Sequence, residues 1–399
     1  MVALPYLDLT APGFSTRGAE VLAARDQHWC ARTPFGFAVL RHRQAGLILR
    51  DRRFRQGSHD WPDKVGLTGS FADFWKRSVI SMEGEPHKLQ RRAVQEALSE
   101  DHIESLCPRF EEIAEGLVQD FPAEMDFVEA FTEPFAGRAI AALLGLPEVE
   151  AQQLARDAST LGLAMGLDAR SHMTKVNAAT DRLMQLADAL LDHGPAQGFA
   201  ARLASAAKRL GITDRQVLKD LMVICIFGGV DTTRAQLAFA ICLFVEAPEL
   251  WQRLRDEPTL VPQALDEVIR TRPTTTWATR QAVEDLTFEG VGMRSGDILH
   301  LLVHATGTDP ATGHDGAFDP FSRRKRHFGF GGGAHHCLGQ FVAKTDMACA
   351  MRVLLRRVER FEFTGAPKFL PDSGNTSPQK VPLRLIRGLM DWSQSMSQT

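Results

Sequence analysis

The sequence predicts a mainly α-helical fold carrying small β-sheets, and three observations predict it. From Glu20 onward most of the chain repeats its apolar residues at helical spacing between short Pro/Gly breaks. Thr213 to Glu246 is the longest helical candidate, and at a rise of roughly 1.5 Å per residue it crosses a whole domain. Runs with strand character are few: Ile298 to Val303 is apolar enough for a buried strand, Val381 to Ile386 is a late candidate, and Phe37 to Leu40 with Ala45 to Leu49 reads either way.

The chain has 399 residues with no internal repeat, low-complexity tract or linker, so residues 1–399 are expected to form a single domain. A hydrophobic share of 44% and a charged share of 24% leave ample material for a core. A formal net charge of −3 gives no reason to expect nucleic acid or an anionic membrane as partner. The first ten residues lack a basic region, and Pro5 and Asp8 interrupt any apolar run, so neither a signal peptide nor a membrane anchor is expected. Cys30, Cys107, Cys225, Cys242, Cys337 and Cys349 are scattered without paired spacing, which fits reduced thiols and a cytoplasmic location.

Taken in order, Arg55 to Ile80 reads as an irregular aromatic segment, with Trp61, Phe71, Phe74 and Trp75 as a loop whose rings pack. In Glu83 to Arg92, Pro86 stands near a helix start, and His87 and Arg91 share one face at i, i+4, which by itself suits a solvated basic helix. Thr213-x-x-Gln216 resembles a capping box at the head of the long helix and Pro248 marks its end. Asp231 and Arg234 interrupt its apolar run, which argues against a membrane span. Gly228 and Gly229 stand in its middle, where each glycine costs roughly 1 kcal/mol relative to alanine, and close helix packing is one explanation. Glu267 and Arg270, at i, i+3, form a common helical ion pair.

Phe328 to Lys344 concentrates the most chemistry. Gly331, Gly332 and Gly333 let the backbone turn tightly and approach something flat or bulky. Cys337 lies just ahead of a helix predicted to begin between Leu338 and Gln340, where unpaired N–H groups and the positive end of the dipole favour a thiolate. The loop therefore looks built to present sulfur to a ligand. A phosphate cradle would need Gly-Lys-Ser/Thr, which does not follow. A zinc site on His335, His336 and Cys337 would need a second Cys-x-x-Cys or histidine pair, and none is near. A buried structural cysteine in a flexible turn is the remaining alternative.

The order Phe330-Gly331-x-Gly333-x-His335-x-Cys337-x-Gly339 resembles, at every defined position, the haem-binding signature of the cytochrome P450 family. The resemblance runs from Glu83 to Arg384 through four motifs in the family's order. It implies one triangular body of about a dozen helices with small sheets, the haem buried between the long helix and the cysteine loop. Cys337 would be the axial thiolate of haem b, iron protoporphyrin IX, with dioxygen as co-substrate. Phe330, Gly331, Gly333 and Gly339 would shape the loop, and His335, His87, Arg91 and Arg280 would meet the haem propionates. Gly229, Asp231 and Thr232 match the pattern (Ala/Gly)-Gly-x-(Asp/Glu)-Thr, where the helix opens a notch for dioxygen; Asp231 would relay protons from solvent and Thr232 would hand them on. Glu267-x-x-Arg270, followed by Pro273, matches the family's structural ion pair.

One position departs from the pattern. The family's further arginine after Phe318-Asp319-Pro320 falls here on Ser322, and Arg323 is expected to take its role through a one-residue shift. Substrate contacts are expected from Trp61, Phe74, Ile224, Gly228 and Trp277. The activity implied is a monooxygenase inserting one oxygen atom into a small-to-medium apolar substrate. No flavin or iron–sulfur segment follows Thr399, so electrons are expected from a ferredoxin and its NAD(P)H-dependent reductase, docking where Arg92, Lys344 and Arg323 to Arg326 lie. Two other readings are a peroxide-driven peroxygenase, a type that tends to lack the Asp231-Thr232 pair, and a non-catalytic haem or hydrophobic-ligand binding protein.

Overall fold

The structure, a computed structural model, describes residues 3–166, 168–313, 316–322, 325–372 and 374–386, so Arg323 lies outside the described residues. Helices make up most of it and the strands gather in four small sheets, as the sequence predicts.

The helix Arg215–Glu246, 32 residues long, organises the rest. Its cap is Asp214, whose carboxylate accepts the Gln216 N–H at 2.8 Å; the start expected at Thr213 moves on because this shorter reach satisfies an orphan donor of the first turn. Leu221, Met222, Val223, Ile226 and Val230 enter one apolar cluster with Phe71, Leu161, Val176 and Phe199. Leu237 to Phe244 enter a second with Phe110, Phe131, Phe135, Val268 and Leu354. By length and composition alone this helix could cross a membrane. Its apolar surface is instead spent on these two clusters, the pattern of a core helix. Where it passes from one cluster to the other, it borders a cavity.

The largest sheet has the order Cys30–Thr33, Gly36–Val39, Ile298–Leu302, Trp277–Ala282, Phe54–Arg55. Ile298–Leu302 is central, parallel to Gly36–Val39 with Phe37 opposite Leu299, and antiparallel to Trp277–Ala282 with Arg280 opposite Leu299. The ambiguous pair of runs thus divides: Phe37 belongs to a strand, while Ala45 lies in the helix His42–Ile48. The late strand is Pro382–Ile386.

Arg55 to Ile80 departs from the expected loop. It folds into the helices Trp61–Val65 and Ser70–Arg77 and a 3-10 turn Val79–Ser81. Phe71, Phe74 and Trp75 recur at i, i+3, i+4 and are all buried, so the aromatic content that suggested a packed loop is one face of a helix. Pro62 in the first turn and Gly66 in left-handed conformation after Val65 bound the shorter helix.

Glu267 and Arg270, 6% and 2% exposed, lock the helix Val261–Thr271 to the loops beyond it. Arg270 donates to Glu267 through Nε and Nη2, both at 2.6 Å, and to the carbonyls of Gly307 and Ala317 at 2.8 Å. Glu267 Oε1 also accepts the Asp319 N–H at 2.9 Å. Ser322 donates to Asp319.

Candidate active site

The cysteine loop is built by backbone geometry that only its glycines permit. Gly331 and Gly333 take φ of +65° and +66°. A Cβ on Gly333 would also run into the Leu49 carbonyl oxygen. Gly331 N–H donates to Phe328 O at 2.8 Å and Cys337 N–H to Phe330 O at 2.9 Å, which closes the loop before the helix Gln340–Arg357 begins. Gly333→Ala therefore meets both steric and dihedral strain, and we expect it to cost more than about 2 kcal/mol, read as a lowered Tm and poor retention of haem on purification.

Cys337 has an accessible surface, and it lines a cavity of ≈ 1120 Å³. Burial raises its thiol pKa, against the pull of the Gly339 and Gln340 N–H groups and of Arg91.

The long helix lines the same cavity through Ile224, Gly228, Gly229, Asp231, Thr232 and Thr233. Its two glycines do different things. A Cβ on Gly229 would collide with Ile140, so that residue is small for close packing; Gly228 faces open space. The helix continues unbroken, and Thr232 Oγ1 donates to Gly228 O at 2.6 Å, an i−4 bond that fixes the hydroxyl at the cavity edge. Asp231 is held by Arg234, Nη2 to Oδ1 at 2.7 Å, and Arg234 is itself anchored on Ser377 Oγ at 3.3 Å.

Two guanidiniums of the cavity wall, those of the buried Arg280 and the half-buried Arg91, have no carboxylate partner among the described residues, whereas a third, that of Arg170, is exposed to solvent. Arg91 donates to His336 O at 2.5 Å, and Arg280 to Gln56 Oε1 at 2.5 Å, Thr279 O at 2.7 Å and Gly332 O at 3.1 Å. Burial lowers the pKa of both, that of Arg280 to about 10. His335 lines the wall between them and Glu83, to which its Nε2 lies at 3.1 Å. Buried cations lacking a counter-charge are costly unless a ligand supplies one. A flat macrocycle with two carboxylates and an iron for Cys337 fits this donor set.

Not every expected residue reaches the wall. His87 sits behind His335, ring centroids 4.2 Å apart, with Nε2 buried and unpartnered; burial, then His335 and Arg91, push its pKa to about 4. Phe74 is corrected: it is 0% exposed in the apolar cluster beside Phe71, and its neighbour Trp75, with Trp61, borders the cavity instead. Trp277, Phe330, Gly331 and Gly339 are wall residues. Sequence reasoning missed Gln56 and Glu83, whose long-range partners Arg280 and His335 carry no local signal, and the wall residues His300 and Asp346. The Arg234–Asp231 pair was legible as an i, i+3 spacing. Asp346, buried with Oδ1 unpartnered, has its carboxyl pKa raised well above normal by that burial.

The family described as Cytochrome P450 matches residues 165–377. Luteothin monooxygenase of Streptomyces thioluteus is 30% identical over 391 residues, 96% of each chain. Mycinamicin IV hydroxylase/epoxidase of Micromonospora griseorubida is 30% identical over 336 residues, 82% of this chain and 84% of that one. The crystal structure of CalO2 superposes with a TM-score of 0.84 at 24% identity, covering 94% of this chain and 99% of its own, which speaks for the fold.

Proposed function

The chain belongs to the cytochrome P450 family, and on that premise we propose a haem b monooxygenase that inserts one oxygen atom into a small-to-medium apolar substrate with electrons from a separate ferredoxin and its reductase. Membership carries the coarser statement outright: the protein is an oxygen-incorporating oxidoreductase of the monooxygenase type that uses haem iron and dioxygen. The observation that most supports the finer reading is that Cys337 and Thr232 border one cavity whose walls are mostly apolar.

Haem bound there supplies the oxygen-activating chemistry, with Cys337 as its iron ligand. Arg91 and Arg280, lacking carboxylate partners of their own, would neutralise its propionates, with His335 alongside. Thr232 commits its proton to Gly228 O and so leaves its oxygen free to accept one from a neighbouring donor. Asp231, next in the chain and partly exposed, would bring protons inward from solvent toward that hydroxyl, with Arg234 holding its carboxylate. Ile224, Trp61 and Trp277 would exclude water and hold an apolar substrate. Arg92, Lys344 and Arg326 offer the cations that would meet an acidic ferredoxin, and the six free cysteines suit a cytoplasmic setting.

In a system reconstituted with ferredoxin, reductase and NADPH, Thr232→Ala is expected to keep consuming reducing equivalents while product per equivalent falls on the order of a hundredfold and hydrogen peroxide accumulates. Unchanged coupling would remove Thr232 from this role. Product formed from hydrogen peroxide alone, at a rate the variant does not diminish, would favour the peroxygenase reading.

A further inference from the structure

One polar group on the cavity wall has no part in the chemistry above. His300 lies in the central strand Ile298–Leu302, opposite Thr279 and Ala38, and is only 9% exposed. Its ring is wedged edge-on between Trp277 (centroids 5.0 Å apart, 64°) and Phe35 (6.0 Å, 74°), and it borders the same cavity as both. Nδ1 is buried with no hydrogen-bond partner, and no described residue bonds Nε2. On the same face of the strand stand Ile298 and Leu302, the apolar kind that packing alone asks for. A histidine that receives nothing from the fold suggests a partner that is not protein.

Burial holds the ring neutral, its pKa pushed down to about 4, so it carries one N–H and one bare nitrogen. A sealed bare nitrogen is tolerated better than a sealed N–H, which puts the proton on Nε2. Nδ1 being closed off, Nε2 is the polar atom the ring can offer to the cavity.

We propose that His300 is a substrate-recognising residue whose Nε2–H donates to an oxygen acceptor, a carbonyl or an ether, on an otherwise apolar substrate packed against Trp277. The inference rests on the monooxygenase reading and narrows its substrate class to apolar molecules carrying such an oxygen. Two variants test it: His300→Phe keeps the ring and removes the donor, and His300→Gln keeps a donor.

The probes are 4-phenylcyclohexanone and phenylcyclohexane, alike in shape and differing in the carbonyl, titrated into the haem-loaded proteins by the shift of the Soret band. The wild type should bind the ketone about tenfold more tightly than the hydrocarbon. His300→Phe should erase that preference while keeping the hydrocarbon affinity, and His300→Gln should restore part of it. Equal affinity of wild type and His300→Phe for the ketone, or no binding in either, overturns the inference. Thermal unfolding supplies a readout without ligand: Tm of His300→Phe should equal or exceed that of the wild type, and a fall of many degrees would make His300 structural and overturn the inference too. The carbon monoxide spectrum of the wild type separates the two levels, since a missing thiolate band would count against the haem-thiolate reading and leave the His300 result to be judged on its own.

Discussion

Cys337→His is expected to abolish the strongly red-shifted Soret band of the reduced carbon monoxide complex and to take monooxygenation to background, while the fold persists. The geometry explains why the sulfur cannot be replaced. Its backbone is fixed by the bond to Phe330 O and by two left-handed glycines, so the residue at 337 has one direction in which to point. Burial by itself favours the thiol over the thiolate, with the Gly339 and Gln340 N–H groups and Arg91 opposing it. Cys337 would be held as the thiolate once it ligated a haem iron, because a coordinating thiol is deprotonated outright. Imidazole in its place can ligate iron but carries no charge to push onto it. Cys337→Ser, smaller and free of clash in the loop, guards against misfolding: it should keep the wild-type Tm and still lose the band. A red-shifted band surviving in either variant would exclude Cys337 as the ligand.

The parts of this site legible in the sequence are those set by local backbone demands. Gly331 and Gly333 have to be glycine because of their own φ and their immediate neighbours, and Thr232 bonds a carbonyl one turn back on its own helix. Such constraints leave a fixed spacing, and spacing can be read. The illegible parts are made by distant segments meeting. Whether Phe74 or Trp75 faces the cavity depends on the rotation of a short helix, one residue turning the side chain by about 100°. Gln56 reaches Arg280 across 224 positions, and nothing near either residue announces it. His300 is hidden because a central strand covered on both faces loses its alternation, so one polar residue in an apolar run reads as noise. The long helix was plain from composition, but its cap moved from Thr213 to Asp214 because termini depend on a single side-chain hydrogen bond.

Removing one partner of the buried ion pair should disrupt the whole structure. Arg270→Ala deletes two bonds to Glu267 and those to Gly307 and Ala317, and it strips a carboxylate that is 6% exposed of its fork of charge. Breaking such a pair costs roughly 3–5 kcal/mol, a large part of the roughly 5–15 kcal/mol that holds a domain together. The loss falls where the helix Val261–Thr271 meets the segment leading into the cysteine loop, so haem retention should fail along with stability. Arg270→Lys cannot rescue it, because an ammonium presents no planar fork to satisfy both carboxylate oxygens and two carbonyls. The double variant Glu267→Met with Arg270→Leu should recover part of the loss, since it removes the buried carboxylate together with its guanidinium partner. Urea unfolding and the ratio of haem to protein measure the series. The double variant ranking below Arg270→Ala would mean that the pair stabilises the fold through its own attraction, and equal stability of Arg270→Ala and wild type would refute the lock altogether.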